Sequence, residues 1–186
     1  MSWWDTKSTI EQFREWVRGV NDPSRKHVRN YILSKEYKSV LDVGAGLCED
    51  YAGFNGVVNY SAVDFTDQFV TDGKNRGVNV IKSVCDSLPF QDEYIDVVYC
   101  RHLIEHLPYY ETTLNEMIRV AKKEVIVTFF LPTEAKPDEI RVIDSLNHNI
   151  YDSRKLESFV LTNNKVKTII KENFGIDEQI LYIILK

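Results

Sequence analysis

The feature that most constrains this chain is the stretch at residues 39–49, Ser-Val-Leu-Asp-Val-Gly-Ala-Gly-Leu-Cys-Glu, an apolar run that stops in two glycines. A β-branched and aliphatic run of this kind suits a strand buried on both faces of a parallel sheet. Glycines at its end let the main chain turn tightly beneath a ligand. Downstream, short apolar runs alternate with helical patterns. Residues 60–64 and 78–82 are two further strands, separated by a polar segment at 66–77 with room for one short helix. Residues 94–100 are a fourth strand and residues 124–131 a fifth. Between them, residues 101–121 carry helical spacing through Leu103, Leu107, Leu114, Met117, Ile118 and Val120. The alternation predicts an α/β, doubly wound, Rossmann-like sheet.

The flanks follow different patterns. Ile10, Phe13, Trp16, Val17 and Val20 are spaced as on a helix that breaks at Asn21-Asp-Pro-Ser24. A second helix over residues 24–34 turns Val28, Tyr31, Ile32 and Leu33 inward. Arg25, Lys26, His27 and Arg29 cluster at its start. Residues 1–38 hold eight Lys and Arg against five Asp and Glu, a net of +3 in an acidic protein. A solvated helix face is the plainer reading of that excess, beside an anion site. Residues 132–149, with two prolines and no clear period, predict a loop with one short helix near 138–146. Residues 153–161 predict a helix capped by Asp152 or Ser153. Residues 165–172 and 178–185 flank Asn173-Phe-Gly-Ile-Asp177 as a hairpin that completes the sheet with an antiparallel strand.

At 186 residues, 44% hydrophobic and 27% charged, the composition is that of one soluble globular domain. The net charge of -5 argues against a general nucleic-acid binder, which needs a surplus of Lys and Arg to neutralise phosphates. Cys48, Cys85 and Cys100 are odd in number and lack metal-ligand spacing, which points to a reduced, cytoplasmic protein. The opening Met-Ser-Trp-Trp-Asp lacks the pattern of a signal peptide. No apolar run reaches the roughly 18 residues that span a bilayer.

In an open α/β sheet, ligands bind beyond the carboxyl ends of the strands. Those ends here carry Asp42 with Gly44 and Gly46, Asp64, the Cys85-Asp-Ser-Leu-Pro-Phe90 turn, and Cys100-Arg-His102. Asp64 lies 22 residues after Asp42, about the interval at which such folds place an acid on ribose hydroxyls. By itself it is equally a turn cap. The glycines alone are weak as a dinucleotide fingerprint, because the third position of Gly-x-Gly-x-x-Gly is Glu49.

Taken together, the set resembles the class I S-adenosylmethionine-dependent methyltransferases, the small type 11 group in particular. Val40-Leu-Asp-Val-Gly-Ala-Gly46 resembles that family's first motif and Ala62-Val-Asp64 its second. Cys85 to Phe90 resembles the adenine-binding turn, and residues 94–108 resemble the fourth strand with its following helix. The resemblance implies a seven-stranded sheet of order 3-2-1-4-5-7-6 with the last strand antiparallel. It implies one methyltransferase domain over 1–186: an N-terminal helical lid at 1–38, a cofactor-binding core at 39–131, and a substrate-side loop, helix and hairpin at 132–186. It assigns Asp42, Gly44, Ala45 and Gly46 to the methionine end of S-adenosyl-L-methionine. Asp64 would hold the ribose diol, with Phe65 against the adenine or ribose, and Asp86, Ser87 and Leu88 would shape the adenine pocket. The Arg101 main chain would face the cofactor's amino group. The sequence departs from the family at Cys48, where a third glycine is common.

Methyl transfer to a hydroxyl or ammonium needs an aligned nucleophile and a group to take its proton. His102, His106 and His148 are the candidates, with His106 one turn after His102 on a common helix face. Each histidine also has the plainer reading of a loop hydrogen bond. His102-Leu-Ile-Glu105-His106 matches the His-x-x-Glu-His zinc pattern, but no third ligand accompanies it, and no metal is expected. The 1–38 segment and the 132–150 loop should cover the acceptor pocket, with Trp3, Trp4 and Trp16 candidates for an aromatic wall.

The expected activity is O-methylation of a small molecule or of a sugar or glycan hydroxyl, by a monomer or homodimer without nucleic-acid or membrane partners. The alternatives are N-methylation of a small amine and a non-catalytic binding protein on the same fold. A nicotinamide-dependent oxidoreductase fits less well, given Glu49 and the Asp86 turn.

Overall fold

The computed structural model describes residues 11–15, 23–130, 138–143, 146–174 and 178–186. Residues 11–15 are helical, followed by α1 (Pro23–Ser34), β1 (Ser39–Val43), α2 (Tyr51–Phe54), β2 (Asn59–Asp64), α3 (Asp67–Asn75), β3 (Val80–Lys82) and β4 (Ile95–Arg101). A 3-10 turn (Ile104–His106), α4 (Glu111–Val120), β5 (Ala121–Phe130), β6 (Val142–Ile143), β7 (Leu146–Asn147), α5 (Ser153–Leu161), β8 (Val166–Phe174) and β9 (Glu178–Leu185) complete the order.

The apolar run of β1 does not alternate because both of its faces are covered. Leu41 and Val43 pack into the cluster built around α4 and α5, and Val40 into the cluster that includes Val28 and Ile32 of α1. The sheet order is β3-β2-β1-β4-β5-β9-β8. Strands β1 to β5 are parallel, β9 runs antiparallel to β5, and β8 pairs antiparallel with β9. Counting only the strands of this sheet, the order is the expected 3-2-1-4-5-7-6. The C-terminal hairpin forms as its patterning predicts, and α5 is capped by Asp152, whose side chain accepts from the Arg154 N–H.

Two expectations are corrected. The helix expected over 101–121 starts only at Glu111; a 3-10 turn and Pro108 come first. Proline has no N–H and forces the preceding residue out of the helical region, and Leu107 is extended at ψ 147°. His102 and His106 therefore share no helix face. The short helix expected near 138–146 is instead the β6–β7 hairpin, extended by a bridge between Glu139 and Ile150. Ile140, Val142 and Ile143 are β-branched, and such side chains favour a pleated strand. Trp3, Trp4 and Trp16 lie outside the described residues, as do residues 131–137 of the acceptor-side loop.

The basic start of α1 is tied down by internal acids. Arg25 donates to Asp50 at 2.9 Å, Arg29 lies 3.7 Å from the same carboxylate, and His27 meets Glu172 at 3.0 Å. Among the described residues, no helix is long and apolar enough to cross a membrane.

Candidate active site

The glycine turn after β1 is a left-handed zigzag. Gly44, Gly46 and Cys48 stand at φ 71°, 51° and 49°, a region open to glycine and costly for other L residues. Cys48 thus adopts the conformation that a glycine would take freely, and its buried side chain packs beside Gly73. The turn is strapped to β2 by the Gly44 and Ala45 amides, which donate to the Val63 carbonyl at 2.9 and 3.1 Å. A Cβ on Gly44 would meet the Leu103 side chain at 2.8 Å, and one on Gly46 would meet the Phe13 ring at 3.3 Å. Phe13 in turn packs against Phe69 of α3, with ring centroids 5.6 Å apart.

Asp64 closes the end of β2 over this turn. It is 6% exposed, and its two oxygens accept from the Gly46 N–H at 2.9 Å and the Thr66 N–H at 2.8 Å. Burial raises its pKa, while those backbone donors pull it back. The Thr66 hydroxyl and the Phe65 N–H also favour its charged form. Phe65, the next residue, leaves β2 with 44% of its surface exposed. On the far side of the cleft, Asp86 and Ser87 are exposed and Leu88 is buried. Thr113 of α4 donates to Asp86 at 2.5 Å. The Glu116 carboxylate accepts the Leu88 N–H at 2.8 Å, and Arg119 donates to the Leu88 and Phe90 carbonyls, so α4 holds this turn in place.

Asp42 is placed differently from its neighbours. It shares the β1 face of Val40 and accepts from the Tyr60 and Tyr99 hydroxyls at 2.7 and 2.8 Å. Burial, with the nearby Asp50 charge, pushes its pKa up to about 7 against the pull of those hydroxyls and of Arg25. Its side chain braces the strand end beneath the turn.

The end of β4 is a cluster of charges. Arg101 donates to the Ser24 hydroxyl at 2.9 Å and to Glu178 at 3.0 Å. The His102 ring lies between Glu105, 3.0 Å from Nδ1, and Glu178, 2.6 Å from Nε2. It also stacks on Phe130, with centroids 4.1 Å apart. Burial alone would lower the His102 pKa; the two carboxylates outweigh burial and raise it above 6.5. Both ring nitrogens are engaged, and none is left to accept a substrate proton.

The His106 pKa is shifted in the other direction. Its Nδ1 lies 2.6 Å from the Asn147 carbonyl, so that nitrogen carries the proton and Nε2 is the basic one. Burial lowers its pKa against the opposing pull of the Asn147 carbonyl and Glu105. The His148 ring stands edge-on to it at 5.0 Å. Among the described residues, no three His, Cys, Asp or Glu side chains converge on a possible metal position.

The two halves of this edge, a glycine turn under a strand-end carboxylate and a histidine-bearing end of β4, are the parts that a nucleoside-linked group transfer needs. Residues 41–129 match the family model described as a methyltransferase domain. That match takes in 89 of the 186 residues, from within β1 to near the end of β5. A protein of Bacillus subtilis (strain 168), named as the uncharacterized methyltransferase YcgJ, is 28% identical over 111 residues; the match covers 54% of this chain and 44% of that protein. This chain therefore matches less than half of that relative's length. The Burkholderia thailandensis 1,6-didemethyltoxoflavin-N1-methyltransferase, solved with S-adenosylhomocysteine, superposes with a TM-score of 0.71 at 15% identity, covering 96% of this chain and 84% of that one. The magnesium protoporphyrin IX methyltransferase of Synechocystis PCC 6803, solved with SAH, gives 0.70 at 11% identity, covering 95% of each chain. At these identities the likeness establishes the fold.

The sequence reading named Glu105 only as part of the zinc pattern, and it left out Glu178, Tyr60, Tyr99 and the Glu116–Arg119 pair. Only the last had a sequence signal, an ion pair three residues apart on α4. Glu178 reaches the site from 76 residues beyond His102, and no local pattern marks such a contact.

Proposed function

We propose that this protein is an S-adenosylmethionine-dependent methyltransferase that methylates a hydroxyl oxygen of a small molecule or sugar. The observation that carries the cofactor part is the Asp64 carboxylate, fixed at the end of β2 beside the glycine turn by the Gly46 amide, where a carboxylate can accept from a ribose diol. Gly44, Ala45 and Gly46 give the methionine end a close approach to main chain. Phe65 supplies an exposed ring for the adenine or ribose. Asp86 accepts from the adenine amino group, Ser87 and Leu88 line that pocket, and the Arg101 main chain accepts from the ammonium. Asp42 contributes to the methionine end by bracing the turn. The cofactor, when bound, supplies a methyl group already activated by a sulfonium.

The remaining demands fall on the acceptor side: alignment and proton removal. His106, neutral and with Nε2 as its basic nitrogen, suits the role of base, and His148 beside it suits a substrate-side contact. A hydroxyl acceptor needs such a base, and this reading takes oxygen as the acceptor, with a small amine as the alternative. The N-terminal segment serves as the lid, since Phe13 already packs on Gly46 and Arg14 pairs with Asp72 of α3 at 2.5 Å. Three free cysteines support a cytoplasmic setting.

Calorimetric titration with S-adenosylmethionine and S-adenosylhomocysteine, followed by transfer of a labelled methyl group to a panel of hydroxyl and amine acceptors, tests the proposal. Binding of both ligands and labelling of hydroxyl compounds are expected. Absence of binding overturns the cofactor reading, and labelling confined to amines overturns the choice of oxygen.

A further inference from the structure

The chain leaves β4 through a residue in the left-handed region that is not a glycine. His102 stands at φ 49°, where L side chains are strained, so its surroundings must hold it there. Its N–H donates to the Thr128 carbonyl of β5 at 2.9 Å. Its ring bridges Glu105 of the 3-10 turn and Glu178 of β9 while stacking on Phe130 of β5. Arg101 of β4 also pairs with Glu178, and His106 is the remaining titratable group that senses the His102 charge. Two cations therefore face two carboxylates. Glu105 is 2% exposed and its second oxygen has no hydrogen-bond partner among the described residues. The imidazolium, with the Phe130 N–H 3.4 Å from the same Oε1, is what compensates that buried carboxylate, and losing the imidazolium leaves only the weaker partner.

The peptide between Arg101 and His102 is planar, with its C=O and N–H pointing in opposite directions. The His102 N–H points to β5. The Arg101 carbonyl therefore points the other way, toward β1, whose last pairing with β4 is Val43 with Cys100; the glycine turn begins one residue further on. We propose that His102 is a positioning residue for the cofactor: its ring, locked between Glu105 and Glu178, holds the left-handed turn that aims the Arg101 carbonyl at the cofactor's ammonium group. This rests on the cofactor reading above. The clamp works only while the imidazole is charged, so it loosens as pH rises through the raised pKa of His102.

The test compares two ligands by calorimetry on the full chain: S-adenosylhomocysteine, and 5′-methylthioadenosine, which keeps the adenosine and lacks the amino-acid end. His102→Asn retains a residue that tolerates the left-handed region but cannot bridge both carboxylates. It should weaken S-adenosylhomocysteine about thirtyfold, the effect of losing one charge-assisted hydrogen bond, and leave methylthioadenosine within roughly twofold. The wild-type preference for S-adenosylhomocysteine should fall with rising pH, and Glu178→Gln should move the midpoint of that fall downward. A midpoint that belongs to the ligand's own amine would not move. Equal weakening of both ligands, no weakening of either, or a midpoint unmoved by Glu178→Gln overturns the proposal. If His102→Asn does not fold, the Glu178→Gln titration decides alone. A wild-type protein that binds neither ligand refutes the cofactor reading itself, a different result from wild-type binding that the variants fail to disturb.

Discussion

The β1–β2 edge and the β4–β9 edge of this domain are built in different ways. At the first, the working parts are main-chain amides and one carboxylate, contributed by residues 42–66 of the chain. At the second, they are side chains from β4, the 3-10 turn, β5, the β6–β7 hairpin and β9. The first edge tolerates little variation because a backbone turn with φ near 50–70° admits few residue types. The second meets no such backbone rule beyond His102. Its geometry depends on charge compensation across strands distant in sequence. The proposed cofactor role falls to the first kind of construction and the proposed acceptor role to the second.

The sharpest way to break this contrast is Asp64→Ala. It removes the carboxylate that both anchors the Gly46 amide and is proposed to hold the ribose. S-adenosylhomocysteine affinity should fall about a thousandfold, the sum of two charge-assisted hydrogen bonds. Calorimetry that finds less than a threefold loss would show that the first edge does not bind the nucleoside.

His106→Gln probes the other edge alone. Methyl transfer to the acceptor found in the labelling panel should drop by about a hundredfold, as for loss of a general base. S-adenosylhomocysteine binding should stay within about twofold. A matching loss of binding would mean that the two edges are not separable.

Gly44→Ala strikes where the edges meet, since the added methyl group would sit against Leu103 while the backbone stays at φ 71°. Left-handed strain predicts a loss of roughly 1–2 kcal/mol in urea unfolding, with the flexible Leu103 tip absorbing most of the contact. An unchanged midpoint would mean that the turn relaxes elsewhere.

Asp42→Asn probes the first edge through stability and pH. In the fold this carboxyl titrates at about 7 against an ordinary 3.8, so the native state holds a proton that the unfolded chain has released. Stability therefore falls as pH rises across that window. The amide cannot ionise, and the variant should gain about 2–3 kcal/mol at pH 8 relative to pH 5, two pH units at about 1.4 kcal/mol each. A pH dependence of the melting temperature identical to wild type would show that Tyr60 and Tyr99 stabilise the carboxylate fully.

Much of the architecture was legible because it rests on short-range rules. Unalternating apolar runs mark buried parallel strands, and an apolar pair around Asn173-Phe-Gly marks the closing hairpin. The 101–121 segment was misread because its apolar residues keep helical spacing on either side of Pro108, and period alone does not register one missing N–H. Residues 138–146 were misread because charges hid the β-branched Ile140, Val142 and Ile143.

By itself, the sequence determined the sheet, its order once the family resemblance was recognised, and the glycine turn with Asp64, since backbone conformation and hydrophobic period are local properties of neighbouring residues. Only the tertiary structure decided which histidine is locked and which is basic. That distinction is made by Glu178 and by the Asn147 carbonyl, both far along the chain, and a proton's position depends on what folding brings within about 3 Å of each ring nitrogen.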